Sequence, residues 1–259
     1  MGKSDSTTRI RDCDSESRKR ANFTSSGKDL VRQCNLAFVH DTIGLWTNDT
    51  RQLKCDWVEL AGTSIHHTIQ MLEDAKALRT GSQRGFIGVD KDRERIAQLR
   101  LKHPDLQWLA GDLRHHISWL CTHAKVGVLN FDGYMEIGTR DTGATFTTFR
   151  PLVRRGISLF GSFVLLATND LTSVVRHPRS AHRGQPEVAL RMHTEMIIEK
   201  LGGYADRRSL PEFDELLPPD FVDKIKDPRF SGPLGAYRIY TGGTGNKLGH
   251  RMITLGLRL

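Results

Sequence analysis

Four short stretches carry the side chains best suited to holding or transforming a polar ligand. The first is Glu59-Leu60-Ala61-Gly62-Thr63-Ser64, an acid followed by a turn of small residues. Small residues let a ligand approach the backbone, and a helix starting behind them offers free N–H groups. Thr63 or Ser64 is also suited to cap that helix. The second ends in Asp90, an acid placed where a ribose diol is commonly bound, or where a helix is capped. Asp92 is then available for the helix while Asp90 faces a ligand. The third ends in Gly111-Asp112, whose carboxylate suits an adenine amino group or another helix cap. The fourth is Asn130-Phe131-Asp132-Gly133-Tyr134, with an amide, an acid and a phenol together.

Other residues invite chemistry and support it less. His66-His67 and His115-His116 are adjacent pairs, and neighbours on a helix point about 100° apart, so they rarely chelate one ion. No HExxH or acid-rich spacing accompanies them, and no metal is expected. The loop Thr241-Gly242-Gly243-Thr244-Gly245-Asn246-Lys247-Leu248-Gly249 lacks the full GxxxxGK[ST] pattern and lies between two β-like runs. The four cysteines, Cys13, Cys34, Cys55 and Cys121, show no CxxC spacing, which predicts reduced thiols and a cytoplasmic setting.

The elements that must position these residues follow from patterning. Apolar residues make up 38% of the 259, enough for a sizeable core. No apolar run approaches the ~20 residues of a membrane span. The first twenty residues have no apolar segment, which predicts no secretory signal. Residues 1–27 read as a polar, basic arm, and 28–54 as a helical segment packing on the core. From 55 to 259 β-like runs alternate with helical patterns, the signature of βαβ units and a parallel sheet. Strands are expected at 55–60, 85–90, 106–112, 126–133 and 161–169, and helices at 65–79, 91–103, about 115–123 and about 145–155, the last interrupted by Pro151. Two further β-like runs, 236–242 and 250–259, predict an antiparallel hairpin. Each stretch of interest then falls at the carboxyl end of a strand, where open α/β sheets bind ligands.

That ordered series, E-L-A-G-T-S, G-V-D, G-D and N-F-D-G-Y, resembles the class I S-adenosylmethionine-dependent methyltransferases over about Cys55 to Leu259. The resemblance implies a Rossmann-like, doubly wound, mostly parallel seven-stranded sheet closing with a C-terminal antiparallel hairpin. It implies S-adenosylmethionine as cofactor, held by Glu59, Ala61, Gly62, Thr63, Asp90, Asp112 and Asn130. Asp132 and Tyr134 would orient or deprotonate the methyl acceptor. The sequence departs from the family in having Gly62 alone where two or three glycines are usual, and in having no proline between Asn130 and Tyr134. The first departure motivates an alternative, a non-catalytic nucleic-acid-binding or assembly protein with an eroded cofactor site. The second gives no support to methylation of an exocyclic base amine. A GxGxxG fingerprint is missing near Gly62, which disfavours a nicotinamide enzyme. The net charge of +8 favours RNA or DNA as acceptor or partner, and no membrane contact is expected.

Overall fold

The structure is a computed structural model. It describes residues 26–42, 44–47, 52–62, 64–80, 85–137, 140–170, 185–202, 219–220, 223–224, 227, 232–234, 237–242 and 250–259. The arm read at 1–27 therefore lies almost wholly outside the described residues.

Five strands alternate with helices: β1 (Asp56–Leu60), β2 (Phe86–Asp90), β3 (Gln107–Ala110), β4 (Val126–Glu136) and β5 (Val164–Asp170). Helix α1 (Ser26–His40) precedes them. Between and after them run α2 (Ile65–Asp74), α3 (Arg93–Lys102), α4 (Leu113–His123), α5 (Arg140–Phe160) and α6 (Pro186–Lys200). Three strands close the described chain: β6 (Gly232–Leu234), β7 (Tyr237–Gly242) and β8 (His250–Arg258). The sheet order is β3-β2-β1-β4-β5-β8-β7-β6. β1 to β5 are parallel. β8 runs antiparallel to β5 and pairs with β7 as the expected hairpin. This is the Rossmann-like, doubly wound, mostly parallel arrangement expected, with a three-residue edge strand, β6, added outside its seven strands. Gly232-Pro233-Leu234 gave no β signal, because Pro lacks the ladder N–H and strands tolerate it only at such an edge.

The period-2 alternation of each strand splits the apolar residues between two faces. Val58, Leu129, Leu165 and Ile253 pack under α4, α5 and α6. Trp57, Val128, Val164 and Leu166 pack under α2 and α3 on the opposite face. Each fully buried Leu, Ile, Val or Phe contributes about 1.5–3 kcal/mol, so both faces hold the sheet firmly. α5 continues through Pro151 instead of breaking. Proline has no N–H to offer the Thr147 carbonyl. However, Phe146, Phe149, Leu152 and Val153 are buried on both sides of it, and their packing holds the helix. α2 stops at Asp74, five residues short of the expected end. Among the described residues no helix is long and apolar enough to cross a membrane.

Candidate functional site

The sheet order reverses between β1 and β4: β2 and β3 lie on one side of that pair, β5 on the other. A crevice must open there, beyond the carboxyl ends of the strands. A cavity of about 720 Å³ occupies that position. Glu59, Gly62, Asp90, Asp112, Asn130 and Asp132 all line it, so the carboxyl ends of four strands contribute to one wall. A Cβ built on Gly62 would meet nothing within 4 Å, so the backbone there borders open space. Ala61 does not line the cavity; it is buried, with its N–H donating 2.8 Å to the Val89 carbonyl. Thr63 lies outside the described residues. Tyr134 lies within β4, and its side chain is outside what the structure describes.

Each acid has a distinct environment. Glu59 is buried and accepts from Trp57 Nε1 at 2.9 Å and from Thr68 Oγ1 at 3.0 Å. Burial pushes its carboxyl above the usual carboxylate range, and hydrogen bonds from Asn130, Trp57 and Thr68 pull it only partly back. Asp90 accepts from the Asp92 N–H at 2.9 Å and from Arg95 Nη1 at 2.5 Å. Asp92 in turn caps α3, accepting from the Arg95 N–H at 3.0 Å. Asp92 is thus the cap of that helix, and Asp90 lies on the cavity wall. Asp112 caps α4, accepting from the Arg114 N–H at 3.0 Å. It also accepts from Arg114 Nε and Nη2 and pairs with Lys91 Nζ at 3.1 Å. A carboxylate has about four lone-pair sites, and these partners take them. The Arg114 guanidinium, ahead of Lys91, holds Asp112 well below the usual carboxylate range. Asp132 pairs with Lys28 Nζ at 3.2 Å.

The sequence reading missed half of the wall. Lys28, Val31, Arg32 and Asn35 of α1 line the cavity, together with Thr168, Tyr240 and Thr254 from the far side of the sheet. The four α1 residues stand at i, i+3, i+4 and i+7, one face of a helix. Arg32 reaches the turn after β1, donating from Nη2 to Ser64 Oγ at 2.7 Å, and pairs with Asp29 at 2.5 Å. The polar residues at helical spacing were the available signal, but polar stripes ordinarily mark a solvated face.

Several tempting residues fall elsewhere. His66 and His67 sit side by side on α2 with ring centroids 4.1 Å apart, and neither lines the cavity. His116 Nε2 lies 3.2 Å from the Ala110 carbonyl. Asn169 is buried and donates to the Ala167 carbonyl at 3.3 Å, away from the wall. Phe131 is a wall residue, packed edge-on against Phe146 and Phe149. Among the described residues no three His, Cys, Asp or Glu side chains group as a metal site. Arg150, Arg154 and Arg155 line a separate cavity of about 500 Å³ with Cys121. There the Arg150 guanidinium donates to the Lys200 carbonyl.

No protein-family model matches the sequence, and no curated protein matches it. Among solved structures, one of Aeropyrum pernix fibrillarin with natively bound S-adenosyl-L-methionine is similar over 86% of this chain and 73% of its own. The identity is 12% and the TM-score 0.36. A Rhodobacter sphaeroides protein assigned to the Zn-dependent alcohol dehydrogenases is similar over 78% of this chain and 73% of its own, at 12% identity and a TM-score of 0.29. At these scores the likenesses carry no argument about what this chain binds.

Proposed function

We propose that the chain is an S-adenosylmethionine-dependent methyltransferase whose cofactor lies in the cavity between Gly62 and Asp112. The observation that carries this reading is the cavity at the sheet's switch point, walled by the carboxyl ends of four strands. Its charge fits the ligand. Glu59, Asp90, Asp112, Asp132 and Asp141 line it against Lys28, Arg32, Lys91 and Arg114. Each of those four cations is itself paired with a carboxylate. Such a wall suits a sulfonium and an ammonium better than the diphosphate of a dinucleotide. Among the described residues it also leaves no concentration of unpaired lysine and arginine at the cavity to hold a nucleic-acid backbone.

When bound, this cofactor supplies a methyl group on a sulfonium: the acceptor's lone pair bonds to the methyl carbon, the carbon–sulfur bond breaks with its electron pair left on sulfur, and the acceptor's proton departs. The chain's contribution is chiefly alignment. The open backbone at Gly62 admits the ligand. Asp90 retains lone pairs for hydroxyl donors beside its bonds to Asp92 and Arg95. At Asp112 an exocyclic amine would replace Lys91, whose side chain is 74% exposed and easily released. Asp132 stands ready to take the acceptor's proton, with Lys28 holding its carboxylate in place.

Calorimetric titration with S-adenosylmethionine tests the reading. The parent chain binds, and Asp90→Ala binds at least about tenfold more weakly, since hydrogen bonds to a charged acceptor are worth about 1.5–3 kcal/mol. A parent chain that releases no heat and shows no thermal protection refutes it.

A further inference from the structure

Lys28 enters the cavity from the first turn of α1. The helix macrodipole disfavours a cation in that turn, so α1 itself gives this ammonium no reason to sit there. What receives it lies across the cavity. Asp132 of β4 accepts from its Nζ at 3.2 Å. The Tyr240 ring of β7 faces it, with the centroid 5.9 Å from Nζ. All three residues line the cavity. A carboxylate beside an aromatic face is suited to an ammonium: the carboxylate takes an N–H and the charge, and the negative face of the ring attracts the cation as well. Phe131 and Val31 border the same space with apolar surface, which suits an alkyl stem. The Lys28–Asp132 pair is open to water. The two side chains are 19% and 30% exposed, and ion pairs so exposed add little stability. A lysine stem also regains rotamer entropy on release. An ammonium from outside can therefore replace Nζ without dismantling α1. The helix is anchored nearer its other end by buried Val39 and by Phe38, whose ring lies against the Arg238 and Arg258 guanidiniums.

We propose that Asp132 and Tyr240 form the seat of the methyl acceptor, that the acceptor is a primary alkylammonium, and that Lys28 fills the seat in the free chain as a built-in competitor. This rests on the methyltransferase reading, with the cofactor between Gly62 and Asp112. The acceptor's ammonium displaces Nζ and gives one proton to Asp132, which passes it to water. The lone pair of the neutral nitrogen then bonds to the methyl carbon, the carbon–sulfur bond breaks with its electron pair left on sulfur, and the product leaves as a methylated ammonium. An alcohol brings no charge to this seat, and a carboxylate would meet Asp132 and Asp141.

Two measurements on the full chain test this separately from the cofactor: calorimetry with S-adenosylhomocysteine, and NMR titration with n-butylamine, n-butanol and butyrate, with and without S-adenosylhomocysteine. The parent is compared with Lys28→Met, which keeps the stem and removes the ammonium, with Lys28→Gln, and with Lys28→Met combined with Asp132→Asn. At neutral pH n-butylamine carries its proton. Lys28→Met and Lys28→Gln then bind it at least about tenfold more tightly than the parent does, and more tightly than n-butanol or butyrate by the same margin. Adding Asp132→Asn removes that margin. Should one Lys28 variant lose its melting transition, the other carries the comparison. A blocked peptide with a central lysine, titrated beside n-butylamine, separates the sources: binding of both identifies a lysine side chain as acceptor, binding of n-butylamine alone a free amine. The proposal is overturned if the Lys28 variants bind n-butylamine no better than the parent, if n-butanol or butyrate binds as well, or if the preference survives Asp132→Asn. If the parent binds S-adenosylhomocysteine and the amine preference is missing, the acceptor seat falls alone. If the parent ignores S-adenosylhomocysteine and the preference is present, the cofactor reading falls and the ammonium seat stands.

Discussion

Glu59→Gln isolates a cavity acid whose pKa burial raises. In the folded chain the carboxyl is enclosed, and desolvation raises its pKa above the ordinary value of 4.5. The unfolded chain titrates near that ordinary value. Between the two pKa values the folded state therefore binds more protons than the unfolded state. Stability from this group is complete below about pH 4.5 and is lost as pH rises through the folded pKa. The loss runs at up to about 1.4 kcal/mol per pH unit across that interval. Glutamine does not titrate, and it keeps the shape. Its amide oxygen accepts from Trp57 Nε1, and its NH2 donates to Thr68 Oγ1 once that hydroxyl turns and to the Asn130 amide once that amide flips, replacing the bonds of the carboxylate. The two stabilities, measured by urea unfolding in steps from pH 4.5 to pH 8, should therefore diverge with pH, the variant gaining on the parent. Subtracting one curve from the other removes opposing contributions such as Asp112, whose lowered pKa contributes stability that is lost as pH falls. A difference that stays flat, or one that favours the parent more as pH rises, would refute the reasoning and return Glu59 to an ordinary paired carboxylate.

The remaining expectations concern the elements that frame the cavity. Gly111→Ala forces a side chain onto a φ of 138°, with its Cβ 2.9 Å from His116 Nε2, in the turn between β3 and Asp112. It should lower stability by about 1–3 kcal/mol, read by urea midpoint; an unchanged midpoint would mean the turn relaxes freely. The Cys55 thiol is buried, and desolvation, ahead of the nearby Asp56, pushes its pKa up to about 12. At pH 8 only about one molecule in ten thousand carries its thiolate. Peptide mass mapping after iodoacetamide should find Cys55 unmodified in the native chain and modified in urea, and rapid native labelling would contradict its burial.

The βαβ order was legible because short-range signals agreed with tertiary demands. CDWVEL, GFIGVD and GSFVLLATN are apolar runs bounded by turns, and in the structure they lie buried on both faces of the sheet. Their ends then locate the ligand side without further information, since a parallel sheet places all its carboxyl ends on one edge. What failed was local. α2 ends at Asp74, although ALR after it looks helical, because Ala77 and Leu78 are buried against the sheet instead of extending the helix. α5 runs through Pro151 because its aromatic residues bury on either side, a long-range gain that propensity does not report.

The unread half of the cavity has a different cause. Topology prescribes where β1 to β4 end, but no rule prescribes which segment roofs the far side of a doubly wound sheet. That roof comes from α1, ninety-five residues upstream of Asn130 at Asn35, and the floor opposite it comes from β5 and β8. Lys28, Arg32 and Asn35 look in the sequence like the wet face of an amphipathic helix. They point inward because the floor they meet, Asn130, Thr168 and Thr254, is polar too. Two polar faces closing on each other gain little from apolar burial. Their apposition is better explained by a polar occupant of the cavity between them than by folding stability.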